Sequence, residues 1–173
     1  SSDLFGTRSE ENAEKSLLLY RDSFGEALIP LLSTNLGRAV YSQEFPYNLE
    51  LNDGSYDMIM IELVERNIPN LLTGAPLMQA SEKQLPTDAV SVSCTANAQK
   101  RSGFTQLYGS IAAYPAAERI YIEVACADGA VRIYEAFPMN ASGDADPAWE
   151  SASGYLLTLP EGVEGEVSGA YIG

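Results

Sequence analysis

The sequence predicts an α+β fold: a long N-terminal helix, kinked or broken near Pro30, packed on an antiparallel β-meander sheet. Three observations predict it. An apolar stripe at helical spacing runs through residues 7–42, apolar–polar alternation dominates the second half, and an Asp128-Gly129 turn joins two alternating runs.

The helix comes first. Thr7-Arg8-Ser9-Glu10 fits a capping box, in which a hydroxyl and a carboxylate each satisfy an orphan backbone N–H. Glu11 and Lys15 stand in the favourable i, i+4 order. Leu17, Tyr20, Phe24, Leu28 and Leu31, followed by Leu32, Leu36, Ala39 and Val40, form the stripe. Pro30 falls inside it, where its ring removes one hydrogen bond and crowds the carbonyl four residues back. Unbroken, such a helix would run roughly 50 Å, longer than the about 40 Å expected across a globule of this size. The helix therefore bends at Pro30 or protrudes as an arm.

The rest of the chain follows in order. Residues 43–87 read as a connecting region with turn chemistry at Asn52-Asp53-Gly54. Within it, 55–67 suits a second helix capped by Ser55 or a buried strand through Met58-Ile59-Met60-Ile61, and the helix is preferred. Residues 88–173 read as the antiparallel β region. Val90, Val92 and Cys94 alternate with Ser91, Ser93 and Thr95. Residues 97–103 read as a polar loop, and Phe104–Ile111 as a strand weakened by Gly109. Asp128-Gly129 predicts a two-residue type I′ hairpin, with Cys126 opposite Val131 and Val124 opposite Ile133. That register buries Ile120, Ile122, Val124, Cys126, Val131, Ile133 and Phe137, and leaves Tyr121, Glu123, Arg132 and Tyr134 wet. A last pair of strands flanks Pro160-Glu161-Gly162. The whole, 1–173, reads as one domain: a helical arm over 1–42, the connection over 43–87 and the sheet over 88–173.

Composition excludes several function classes. Ten Lys and Arg face 24 Asp and Glu, a net charge of −14, and the only basic pair in sequence is Lys100-Arg101. Nucleic acid needs clustered cations to displace its counterions and is excluded as a partner. The chain contains no histidine, which removes Ser-His-Asp and Cys-His nucleophilic machinery and imidazole acid–base work. G-x-S-x-G, P-loop and G-x-G-x-x-G patterns are also absent. No cofactor is expected, and the balance leans away from an enzyme.

The candidate site residues are few. Cys94 and Cys126 form no C-x-x-C; they either pair across the sheet or stand as core thiols. Asn140, Asp144, Asp146 and Glu150 offer hard oxygen ligands for Ca²⁺, without EF-hand spacing, so a solvated acidic loop is preferred. Trp149 and Tyr155, in and beside that loop, are candidates for stacking on a ligand or folding back as a lid.

The order of elements, a long helix interrupted by Gly25 and Pro30 and then an antiparallel meander, resembles type IV pilin-like and pseudopilin ectodomains. Glu10–Tyr41 would match the helix and Ala89–Ile172 the sheet. The resemblance implies an extracytoplasmic, assembly-forming role. The first residue is Ser rather than Met, and a leader or membrane anchor is expected upstream of it. The membrane enters only through that missing N-terminal segment.

The functional expectation is thus a non-enzymatic extracytoplasmic structural or assembly domain acting through protein–protein contacts or self-assembly. Two alternatives stand beside it. One is a ligand- or glycan-binding domain using the 138–155 loop; the other is a His-independent hydrolase with a carboxylate pair.

Overall fold

The computed structural model describes residues 4–9, 14–51, 54–112, 119–140 and 153–173. Its contacts divide the chain into two compact units, Ser1–Ile68 and Pro69–Gly173.

The first unit is a mixed four-stranded sheet. β1 (Phe5–Arg8), β2 (Ser16–Arg21), β3 (Arg38–Ser42) and β4 (Met58–Glu62) lie in the order β1-β3-β2-β4. β2 runs parallel to both β3 and β4, and β1 is antiparallel to β3. A 3-10 turn, Phe24–Leu28, leads into α1 (Ile29–Asn35), which forms the crossover from β2 to β3. Ile29, Leu32 and Leu36 pack on Leu17, Leu19, Ala39 and Tyr41.

The long N-terminal helix is therefore absent, and with it the helix-on-sheet fold class, the 1–42 helical arm and the likeness to pilins. The cause is visible in the burial of β2. Leu17, Leu18, Leu19 and Tyr20 are all at most 1% exposed, so both faces of the strand are covered. A parallel strand covered on both faces reads as a continuous apolar run, which periodicity does not distinguish from a buried helix. Pro30 does not kink a helix. It sits in the first turn of α1, where its missing N–H has no partner to lose. Thr7 caps nothing; it lies in β1 and donates its hydroxyl hydrogen to Ser33 Oγ at 3.0 Å. Residues 58–62, where a second helix was preferred, are strand β4, and a 3-10 stretch covers Glu65–Leu72.

The second unit is all β. β5 (Glu82–Lys83), β6 (Val90–Ser91), β7 (Asn97–Arg101), β8 (Phe104–Ser110), β9 (Ile120–Cys126), β10 (Val131–Met139), β11 (Gly154–Thr158) and β12 (Gly165–Ile172) follow in sequence. The ladder runs β6-β12-β9-β10-β11-β8-β7, with β5 added to β10. The ends of this ladder meet. Beyond β6, Val92 N–H still donates to Ala170 of β12, while Thr95 N–H donates to Ser110 and Ala112 N–H to Ser93 at 2.9 Å each. Segment 90–95 thus joins β12 to β8 and closes a six-stranded barrel. Leu107, Ile120, Ile122, Val124, Tyr134, Tyr155, Leu157 and Ala170 fill its interior.

The hairpin forms where the Asp-Gly signal places it, with a different turn. Cys126 N–H donates to Ala130 O and Gly129 N–H to Cys126 O, so the loop is Ala127–Gly129, three residues. Gly129 takes φ +84°, the left-handed position that such a turn needs in its last residue. Val131 now opposes Ala125, one step from the two-residue register. A one-residue slip turns every side chain of a strand over. Ile120, Ile122, Val124 and Cys126 are buried as expected, but Tyr134 and Ala136 go inside while Val131 is 62% exposed. The Asp128 carboxylate supports this turn by accepting from Ala130 N–H and from Arg132.

Residues 97–101 are a strand paired with β8, not a polar loop. β11 and β12 form, but each pairs elsewhere, β11 with β8 and β10, β12 with β9 and β6.

Closure fixes the residue at 109. A Cβ there would stand 1.9 Å from Thr95 O, an overlap that backbone cannot relieve locally. Gly109→Ala is expected to destabilise by about 3 kcal/mol, read as a lower urea midpoint. Tyr155→Phe, which only deletes the hydroxyl bond to Thr95 O, is expected to cost about 1 kcal/mol.

Candidate functional site

The residues singled out in the sequence divide sharply. Asp144, Asp146, Glu150 and Trp149 lie outside the described residues. Asn140 follows β10, and its N–H donates to Leu72 O at 2.8 Å. Tyr155 belongs to the barrel core at 1% exposure, and its hydroxyl donates to Thr95 O at 2.9 Å. Burial pushes that hydroxyl up to about 12. Cys94 and Cys126 are free thiols that both pack on the barrel core, and β12 runs between the segments that carry them. Burial pushes the Cys94 thiol up. Among the described residues, no group of three His, Cys, Asp or Glu side chains is placed to hold a metal.

The displaced carboxyls all move the same way. Backbone N–H groups led by that of Val64 hold Asp22 below the ordinary carboxylate range. The Ser16 hydroxyl does the same for Asp57, the Arg132 guanidinium for Asp128 and the Lys100 ammonium for Glu164. A general acid at neutral pH needs the opposite shift, produced by desolvation or a like charge. These carboxylates work as acceptors that fasten backbone and neighbouring side chains.

Asp22 shows how. It follows β2 at the carboxyl end of the parallel strands, where the sheet order β3-β2-β4 has its topological switch. Open α/β sheets commonly take ligands at this point. Here the place is occupied by the protein. Asp22 Oδ1 accepts from Phe24 N–H, and Oδ2 accepts from Val64 N–H and Asn67 Nδ2, so the ends of β2 and β4 are tied together. Gly25 closes over the gap, since a Cβ there would be 2.4 Å from Glu62 Oε2. Beneath it Arg21 is 6% exposed, donates from Nη1 to Asp22 O at 3.0 Å and lies over the Phe5 ring. Arg21 Nε and Glu62 Oε2 are buried without a hydrogen-bond partner among the described residues. The arrangement is a clamp rather than a cleft.

What the clamp leaves open is the outer edge of β4. β4 ends the sheet order, so its far side faces no strand among the described residues. Met58 is 49% and Ile61 41% exposed on it. The run Met58-Ile59-Met60-Ile61-Glu62 carries neither Lys nor Pro, the residues that usually blunt such an edge. The sequence contained this signal in 58–61, but assigning that run to a helix concealed it. No family model, curated protein or solved structure matches the chain.

The lowered Asp22 sets a pH dependence. A carboxyl whose folded pKa is depressed contributes stability above its unfolded pKa and loses it as pH falls through the folded one. Asp22→Ala is expected to lower the urea midpoint at pH 7. The gap to the parent chain should then narrow as pH is taken down from about 4, the ordinary carboxylate value. A gap constant from pH 7 to 2 would show that the Asp22 charge contributes nothing.

Proposed function

We propose that the chain is a non-enzymatic binding module that acts through protein–protein contacts, with the open edge of β4 pairing to β4 of a second copy. One observation carries this reading: an unblunted sheet edge with two exposed apolar side chains, Met58 and Ile61. An edge strand presents a row of free N–H and C=O groups and is a template for strand addition. Antiparallel pairing of two β4 strands is a two-fold, self-complementary contact that closes on itself. The non-enzymatic part rests on composition, a chain without histidine and without the G-x-S-x-G, P-loop or G-x-G-x-x-G patterns.

The net charge of −14 opposes self-association, and salt screens such repulsion beyond about 8 Å at physiological ionic strength. Light scattering after size exclusion at 0.15 M salt is therefore expected to show a concentration-dependent dimer, stronger at 0.5 M. Ile61→Lys should return the monomer with an unchanged circular-dichroism spectrum. A monomeric mass throughout, or a dimer indifferent to Ile61→Lys, would remove the edge-pairing reading.

A further inference from the structure

The barrel unit holds a second feature, independent of the β4 edge, where the sheet forks. Along one edge, β10 pairs with β5 at Ile133 and Tyr134, then with β11 at Phe137–Met139. The chain before β5 rejoins the ladder at Thr158, whose carbonyl accepts from Ala80 N–H at 2.9 Å. Between these attachments the strands part over Glu135 and Ala136, and a groove of about 310 Å³ opens there. Met78, Ala80, Ala136, Phe137 and Leu156 give it apolar walls. The volume falls at the small end of the range for ligand pockets, about 300–1,000 Å³.

Two charged side chains line the groove, one of each sign: Lys83 from β5 and Glu135 from β10. Lys83 Nζ and Glu135 Oε2 stand 3.9 Å apart, past hydrogen-bond length. The two side chains are 43% and 35% exposed, so solvent reaches both from the mouth. Arg119 Nε approaches the other carboxylate oxygen, Oε1, at 3.8 Å, but Arg119 does not line the groove. Among the described residues neither Lys83 Nζ nor Glu135 Oε2 makes a hydrogen bond. Ammonium donors and carboxylate lone pairs are thus on offer side by side at the head of an apolar trough.

A single ion uses such a pair poorly. A carboxylate that meets Lys83 brings like charge to Glu135, and an ammonium that meets Glu135 does the same to Lys83. A zwitterion with its two charges close together answers both, and opposite charges then alternate around the contact. Each contact is a charge-assisted hydrogen bond, and the two together fix the ligand's direction. From this juxtaposition we infer that the fork between β5 and β11 binds a free α-amino acid with an apolar side chain. Its carboxylate lies on Lys83, its ammonium on Glu135 and its side chain along Ala80, Ala136 and Phe137. A charged side chain is rejected, because it would be desolvated against those walls without a partner.

The test uses the full chain with L-leucine, 4-methylpentanoate and 3-methylbutylamine, which share one apolar body and differ in head charge. Methyl resonances of Met78, Ala80 and Ala136 report occupancy. Leucine is expected to shift all three saturably, with a Kd about tenfold below that of either single ion, as one additional charged hydrogen bond implies. Leucinamide, which keeps the ammonium and lacks the carboxylate, should bind like the amine. Glu135→Gln should weaken leucine and make 4-methylpentanoate the better of the two single ions, and Lys83→Gln should weaken leucine and favour the amine. A loss of packing alone would not exchange that preference. Equal affinity for leucine and either single ion, unmoved methyls, or variants that leave the order of the ligands unchanged would overturn the inference. The ligand series on the parent chain decides it even where a variant fails to fold. Because the barrel unit alone carries the inference, its failure would leave the β4 reading standing.

Discussion

Two short runs of backbone, 93–95 and 110–112, hold the second unit together. Their three contacts turn an open ladder into a ring: Thr95 N–H to Ser110, Ala112 N–H to Ser93, and the Cys94–Ile111 bridge. Closure covers the facing edges of β12 and β8 along this stretch, while β7 and β5 stand outside the ring. It also dictates side chains. Thr95 passes so near β8 that residue 109 has no room for a Cβ, and Tyr155 reaches the same carbonyl across the core. A glycine that weakens a strand in isolation is the residue that lets this one close.

The first unit solves its edges differently. Its parallel core is tied at one end by Asp22, a single carboxylate accepting from β4's exit and from the turn leading to α1. A second carboxylate, Asp57, accepts from Ser16 N–H and Oγ at the other end of the same two strands. β2 and β4 are therefore pinned at both ends, while β4's far side pairs with no strand among the described residues. Rigidity next to an open edge suits docking, because a pre-ordered strand loses little conformational entropy on pairing.

The second half of the chain was largely legible as sequence. Alternation at Ile120–Cys126 and the Asp-Gly turn identify a hairpin with those four apolar side chains inside, and they are. The register was not legible, because Asp128-Gly129 suits a two-residue loop and a three-residue one equally. Asp128 lacks the positive φ that a type I′ loop would require of it, and the Arg132–Asp128 contact supports the longer loop. Of the site residues, Tyr155 was legible as aromatic and its burial was not. The strand at Met58–Ile61 was legible as an alternative to helix, but its place at the end of its sheet was not, since that depends on which strand lies beside which.

The sequence by itself determined composition-level facts: an acidic chain without imidazole, an antiparallel second half and the position of its central hairpin. Tertiary structure decided that Leu17–Tyr20 is a strand covered on both faces, that 90–95 meets β8, and that β10 forks between β5 and β11. The physical reason is that periodicity reports burial on one face only. A segment buried on both faces, or one joined to residues far along the chain, leaves no local pattern to read.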